Sequence, residues 1–132
     1  MANTMTLQII TPIKKVLEEQ VESVILTTSE GEMGVFYDHE PVVTLLGYKT
    51  LRYKQNGEQK VATIMGGFAE ITKDKIVILT DASELPEQID LERAKQAKER
   101  AEKRINDSTM DQKRAEIALK KAIARINLKE AK

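Results

Sequence analysis

The sequence predicts an α+β protein, with an antiparallel β-sandwich or flattened barrel over residues 1–86 and an antiparallel two-helix hairpin over residues 87–132. Three observations predict it. All six glycines fall between Gly31 and Gly67 and the last proline is Pro86, so the residues that punctuate turns stop there. Before that point, short β-branched runs recur between turn signals. Beyond it, Ala, Glu, Lys, Arg, Gln and Leu dominate a stretch with neither Gly nor Pro, a composition of strong helix formers.

The β-branched runs are Thr6–Ile10, Val21–Thr27, Thr50–Tyr53, Val61–Ile64 and Lys75–Leu79. Turn signals separate them at Ser29-Glu30-Gly31, Asn56-Gly57 and Lys73-Asp74. Asn-Gly suits a type I′ hairpin because both central residues of that turn need positive φ. Gly66-Gly67 would weaken an ordinary central strand, so it marks a bulge, a corner between two sheets or a close backbone contact. A phosphate loop there would need further glycines, or a lysine followed by Ser or Thr, and has neither. Ile9, Val24, Leu26, Ile64, Ile76 and Ile78 are the expected sandwich core.

In the helical part Asp90 is a good N-cap for a first helix carrying Leu91, Ala94, Ala101 and Ile105 on one stripe. Asn106-Asp107 interrupts it. Ser108, three residues before Asp111, resembles a weakened capping box for a second helix with the stripe Ala115, Ala118, Leu119, Ala122 and Ile126. Alanine lets two helices approach closely but buries little apolar surface, at about 25 cal/mol per Å². The hairpin is therefore expected to be marginal alone and to need another surface or a ligand.

With 132 residues the chain suits one domain plus an appendage. It has no cysteine, which removes disulfides, zinc-thiolate sites and thiol nucleophiles. It has no run of about 20 apolar residues and no signal-peptide pattern, so a soluble, cytoplasmic protein with no direct membrane insertion is expected. Net charge is zero, but residues 1–86 hold 8 basic and 12 acidic side chains, and residues 87–132 hold 13 and 9. The excess of cations lies after Thr109, so an electrostatic partner should be acidic and meet the end of the chain. The lone His39, between Asp38 and Glu40, has no second His or Cys to complete a transition-metal site and is expected to be a turn or contact residue. No motif unites acid, base and oxyanion hole, so no catalytic and no metal residue is assigned. The hairpin has no aromatic side chain to stack on bases, which argues against nucleic acid.

On the first helix Asp90, Arg93 and Arg100 share a face by spacing, and on the second Arg114, Lys121 and Arg125 follow the same logic. Antiparallel packing would bring Arg93 and Arg100 near Lys121 and Arg125, where guanidinium forks suit phosphate oxygens. Spacing alone favours the plainer alternative, solvated faces of two charged helices.

Several stretches together resemble the ε-subunit family of bacterial F-type ATP synthases, over essentially the whole chain. Leu7-Gln8-Ile9-Ile10-Thr11-Pro12 looks like the family's first strand, and Gly31-Glu32-Met33-Gly34-Val35 with His39 and Pro41 like its loop of the form GE-x-G followed by H-x-P. Gly66-Gly67-Phe68-Ala69-Glu70-Ile71 is similar to its GGF-x-E-V segment. Ile89-Asp90-Leu91-Glu92-Arg93-Ala94 resembles its ID-x-x-RA pattern, with Lys113-Arg114-Ala115-Glu116 in the last helix.

The resemblance implies a non-catalytic rotor subunit of a proton-translocating complex, peripheral on the cytoplasmic face of the membrane. Its sandwich would join the γ subunit and the c-ring. Its hairpin would inhibit ATP hydrolysis when extended into the α and β subunits of the catalytic head, and permit turnover when folded back. The ID-x-x-RA pattern belongs to an ATP site of the folded form, with ATP as a regulatory ligand and Mg2+ as an open companion. The carry-over names Glu84, Ile89, Asp90, Arg93, Ala94, Arg100, Lys121 and Arg125. Lys121 stands where tighter nucleotide binders have Arg, which keeps the charge and loses the planar fork. Asp38 stands where many relatives have Gly, which puts the local turn in question. The alternative function is a purely structural coupling subunit without nucleotide sensing.

Overall fold

The computed structural model describes residues 3–107, 109 and 111–130. Nine strands come first among these residues: β1 (Met5–Ile10), β2 (Lys15–Val21), β3 (Ser23–Thr28), β4 (Gly31–Phe36), β5 (Val42–Leu45), β6 (Tyr48–Gln55), β7 (Glu58–Met65), β8 (Phe68–Ile71) and β9 (Lys75–Leu79). A 3-10 turn at Pro86–Gln88 leads to α1 (Leu91–Ile105) and α2 (Gln112–Glu130). The predicted sandwich and hairpin are both present.

The strands form a five-stranded sheet in the order β2-β1-β9-β8-β5 and a four-stranded sheet in the order β4-β3-β6-β7. Alternate side chains of each strand point between the sheets. Leu7, Ile9, Val24, Leu26, Leu51, Ile64, Ile71, Ile76 and Ile78 meet there, all but excluded from solvent, and include every expected core residue. Pairing is antiparallel except for β1 with β9, where Leu7 lies opposite Ile76 in a parallel ladder. Sequence patterning gives no sign of that pair, because it joins the first strand to the last.

The chain passes between the sheets four times, and three of these crossings are short corners, at Glu22, at Leu46-Gly47 and at Gly66-Gly67. Val21 ends β2 in one sheet and Ser23 opens β3 in the other, so the expected single run Val21–Thr27 is two strands kinked at Glu22. The kink puts Val21 and Val24 both inside. The Gly66-Gly67 corner, between β7 and β8, has φ of 77° and 96°. A Cβ on Gly67 would lie 1.9 Å from the Leu79 carbonyl oxygen, so the corner is also a close backbone contact. Asn56 and Gly57 both have positive φ, as their I′ turn requires.

Two local expectations are corrected. The GE-x-G stretch is not a loop but β4, paired along its length with β3. The second helix is capped by Asp111, whose Oδ1 accepts from the Arg114 amide at 3.1 Å; the expected capping residue Ser108 lies outside the described residues. Asp38 adopts φ 69°, so the turn is made with Asp in the left-handed region, which Asp tolerates better than most residues. His39 is a contact residue in that turn, its Nδ1 donating to the Glu40 carbonyl at 2.7 Å.

The hairpin lies on the four-stranded sheet. Thr63 and Met65 of β7 alternate with the core residues Ala62 and Ile64, so they face outward, yet both are fully buried. The segment after β9 is strapped along β7, the Met65 amide donating to Ala82 O at 3.2 Å and the Thr63 amide to Glu84 O at 2.9 Å. Helix α2 packs on β6 and β7 and carries α1 on its other side. Ala94, Ala101, Ala115 and Ala122 close the helix–helix seam, as expected, while Ala124 and Leu128 are buried in addition to the expected stripe. Gln112 Nε2 ties the connection, donating to Arg104 O at 3.2 Å and Asp107 O at 2.7 Å.

Candidate ligand site at the docked hairpin

The eight candidate site residues occupy three elements. Glu84 is in the strap, fixed from both sides by Thr63: its amide donates to Thr63 Oγ1 at 2.8 Å and its carbonyl accepts the Thr63 amide. Ile89 is buried between the 3-10 turn and α1. Asp90 caps α1, its Oδ1 accepting the Arg93 amide at 3.1 Å, so it orders the first turn on which Arg93 is displayed. Ala94 is buried in the seam, one residue from Arg93, which is exposed. Arg100 is exposed two turns further along α1. Lys121 and Arg125, one turn apart on α2, are both half-buried.

Folding brings two of them into direct contact. Arg125 Nε donates to Glu84 Oε1 at 2.6 Å, an ion pair across 41 residues of sequence that joins the hairpin to the sandwich. One turn on, Lys129 Nζ donates to Pro86 O at 2.9 Å. Sequence reasoning did not single out Lys129; its i,i+4 spacing from Arg125 was the available signal. Among the described residues Arg93, Arg100 and Lys121 make no ion pair. The antiparallel run of α1 and α2 sets the N-terminal turn of α1, with Arg93, beside the C-terminal half of α2, with Arg125.

At the strap one cation, Arg125, is neutralised by a carboxylate, with Lys121 one turn before it on α2, while Arg93 and Arg100 are exposed along α1. Arg93, Arg100 and Lys121 have unspent charge, and Arg125 is held by an oxygen acceptor of the kind a phosphate also offers. Asp107, at the far end of the hairpin, is held below the usual carboxylate range by hydrogen bonds from the Thr109 hydroxyl and amide, which stiffens the turn. No group of three or more His, Asp or Glu among the described residues is placed to hold a metal ion. No described helix is long and apolar enough to cross a membrane.

The outer face of the other sheet is different. Leu45 pairs with Phe68, Phe68 with Leu79 and Leu79 with Ile10, making one apolar row across β5, β8, β9 and β1. Leu45 is 65% exposed and Phe68 40%, and Val43 extends the patch along β5 at 65%. Singly exposed apolar side chains are ordinary, but a contiguous row marks an interaction surface.

Residues 4–86 match the family described as ATP synthase, Delta/Epsilon chain, beta-sandwich domain, and residues 87–130 the one described as ATP synthase, Delta/Epsilon chain, long alpha-helix domain. The ATP synthase epsilon chain of Desulforamulus reducens is 46% identical over 132 residues, covering 98% of this chain and 100% of that one. The ATP synthase epsilon chain of Desulfitobacterium hafniense is 44% identical over 129 residues, covering 96% and 97%. Among solved structures, a chain of the cryo-EM structure of Euglena gracilis mitochondrial ATP synthase (OSCP/F1/c-ring, rotational state 1) superposes with a TM-score of 0.81 at 28% identity, covering 92% of this chain and 78% of that one.

Proposed function

This chain belongs to the delta/epsilon chain family of ATP synthases, and from that premise we propose that it is the non-catalytic rotor subunit whose hairpin restrains ATP hydrolysis and whose folded form is stabilised by ATP. The observation that carries this reading is the Glu84–Arg125 ion pair. It joins the two parts of the molecule through two residues of the carried-over nucleotide site, so a ligand bound at both of them acts where the hairpin is held. ATP phosphates would take Arg93, Arg100, Lys121 and Arg125, with Asp90 ordering Arg93 and Glu84 accepting a hydrogen bond from the base or from Arg125. Magnesium, if it accompanies the nucleotide, would ride on the phosphates. Lysine at 121 attracts phosphate without a bidentate fork, so binding would be weaker than with arginine there. Weak binding tunes a switch without throwing it, since moving a two-state balance from 1:99 to 99:1 takes about 5.5 kcal/mol of differential affinity.

The apolar row Leu45-Phe68-Leu79-Ile10 supports a docking face for the rotor, the γ subunit and the c-ring, because the hairpin covers the opposite side of the sandwich. With both faces assigned, the sandwich stays on the rotor at the cytoplasmic side of the membrane while the hairpin moves. The basic residues Lys113, Arg114, Lys120, Lys121 and Arg125 would meet acidic surfaces of the α and β subunits in the extended state. The seating of Leu128, Arg125 and Lys129 on the sandwich also favours a second reading, in which the hairpin is a brace that senses nothing.

Titration of the isolated chain with ATP, followed by calorimetry and by a distance probe between the sandwich and α2, tests the nucleotide site. Binding with the hairpin held docked is expected, and its loss in the double variant Asp90→Ala, Arg93→Ala. Absence of heat up to millimolar ATP would remove the nucleotide from the proposal. Deleting residues 88–132 separates the two readings: raised hydrolysis by the reassembled enzyme supports inhibition, and unchanged hydrolysis supports bracing.

A further inference from the structure

Four strands lie at the edges of the two sheets, β2 and β5 in one and β4 and β7 in the other. An edge strand presents unpaired N–H and C=O groups to any extended chain that reaches it, and proteins guard such edges with charge, bulges or a covering segment. Three of the four are guarded. The strap covers β7, taking the Thr63 amide at Glu84 O and the Met65 amide at Ala82 O. β2 carries Lys15, Glu18 and Glu19, and its register breaks opposite Ile9 and Ile10. β4 carries two glycines and Glu32, which Arg52 holds in an ion pair. β5, Val42-Val43-Thr44-Leu45, has no charge, no glycine and no register break.

The ladder fixes which backbone groups of β5 are free. Just beyond the strand, Leu46 donates its amide to Gly67 O at 2.9 Å, in the same register that pairs Thr44 with Ala69 and Val42 with Ile71. Successive residues of a strand turn their N–H and C=O groups to opposite sides, so Val42 and Thr44 address β8 while Val43 and Leu45 face away from it. Two donors and two acceptors thus look out from the edge, with no hydrogen-bond partner among the described residues. The side chains of Val43 and Leu45 lie on the outer face, because their partners Glu70 and Phe68 alternate with the buried Ala69 and Ile71. Leu45 is therefore both the end of the apolar row and part of the open edge.

We propose that the free edge of β5 receives an extended segment of the γ subunit as an added strand, paired main chain to main chain. The inference rests on the reading of the apolar row as the docking face for the rotor. A partner lying along the row from Ile10 to Leu45 arrives at this edge, where an extended strand takes up all four backbone groups at once. A second copy of this chain, pairing edge to edge, would leave the row itself uncovered. Main-chain hydrogen bonds supply the affinity, and alternate side chains the specificity. The added strand should therefore carry apolar residues two positions apart, beside Val43 and Leu45 on the outer face.

Amide hydrogen exchange of the full chain, alone and in complex with the γ subunit, reads the edge directly. Thr44 is bonded to β8 and should exchange slowly in both states, whereas Val43 and Leu45 should exchange freely alone and slow by about tenfold or more in the complex. Val43→Pro removes an edge N–H that bonds nothing within the chain, so the fold should survive by circular dichroism. It should weaken the complex about tenfold more than Val43→Ala does, the worth of a main-chain hydrogen bond. Phe68→Ser, within the row, tests the docking face apart from the edge. Unchanged exchange at Val43 and Leu45, or equal affinity of the Pro and Ala variants, in a complex that Phe68→Ser weakens overturns the strand addition and leaves the docking face standing. A complex indifferent to Phe68→Ser overturns both. Slowing that grows with the concentration of the chain alone gives the edge to a second copy and overturns the proposal.

Discussion

The core of the sandwich and the seam of the hairpin are held by different residues. Between the sheets Leu, Ile and Val interlock from every strand but β5. Between the helices the buried residues are Ala94, Ala101, Ala115 and Ala122, with larger side chains such as Leu119 and Ile126 only half-buried, and Leu128 is the one large side chain of α2 fully buried among the described residues. An alanine seam buries a small area per residue, so the stability of the hairpin resides in its seat and not in itself. The difference teaches where each part is free to change: the sandwich is a platform, and the hairpin is an element whose position is set by a few contacts on that platform.

Substitutions along this gradient should have graded effects. Ile78→Ala, fully buried between the sheets, should cost about 2–5 kcal/mol and bring sandwich and hairpin down in one transition by denaturant unfolding. Leu128→Ala removes the largest anchor of α2 and should release the hairpin, read as increased amide exchange confined to α1 and α2, while the sandwich keeps its melting temperature. Coupled loss of both parts would show that the contrast is false. Glu84→Gln keeps the size of the side chain and removes its charge; the pair is about a third exposed, so a shift of about 1 kcal/mol or less toward the undocked hairpin is expected by the distance probe.

The smallest effect is a pH dependence in the sandwich core, at Tyr53. Desolvation, then Glu19 and Glu87, raise the Tyr53 phenol above its ordinary 10.0. A group whose folded value is raised contributes stability in full below its unfolded value and loses it as pH climbs through the folded one. Unfolding curves should therefore be flat in this respect at neutral pH and weaken above pH 10, and Tyr53→Phe should remove that step.

The same contrast explains what was legible in the sequence. Fully buried runs such as Lys75–Leu79 announce themselves by β-branched side chains, and the hairpin by its composition. The strands that sequence patterning passed over, β2, β4, β5 and β8, are exposed or short: β2 shows Glu18, Glu19 and Gln20 to solvent, and β5 exposes Val42, Val43 and Leu45. Their pairing is decided by neighbours and not by their own periodicity. On α2 the stripe toward α1 was readable from alanine spacing, but Ala124 and Leu128 are buried by a surface that only the fold supplies. Of the candidate site, the Asp90 cap was local and readable, whereas the Glu84–Arg125 contact spans 41 residues and leaves no trace in spacing. The resemblance brought those two residues together on one site before the geometry did.

The parallel pairing of β1 with β9 has a consequence for how the chain is made. β9 is the middle strand of its sheet, between β1 and β8, and it is the last strand to be synthesised. Until Leu79 has left the ribosome, the β1–β2 pair and the β5–β8 pair are two halves with nothing between them, and the core cannot close. Closure joins residues as distant as Leu7 and Ile76, a long-range step that is slow by nature. The hairpin is translated directly afterwards and emerges beside the sheet that becomes its seat. Its seat on β6 and β7 is thus complete before α2 reaches it.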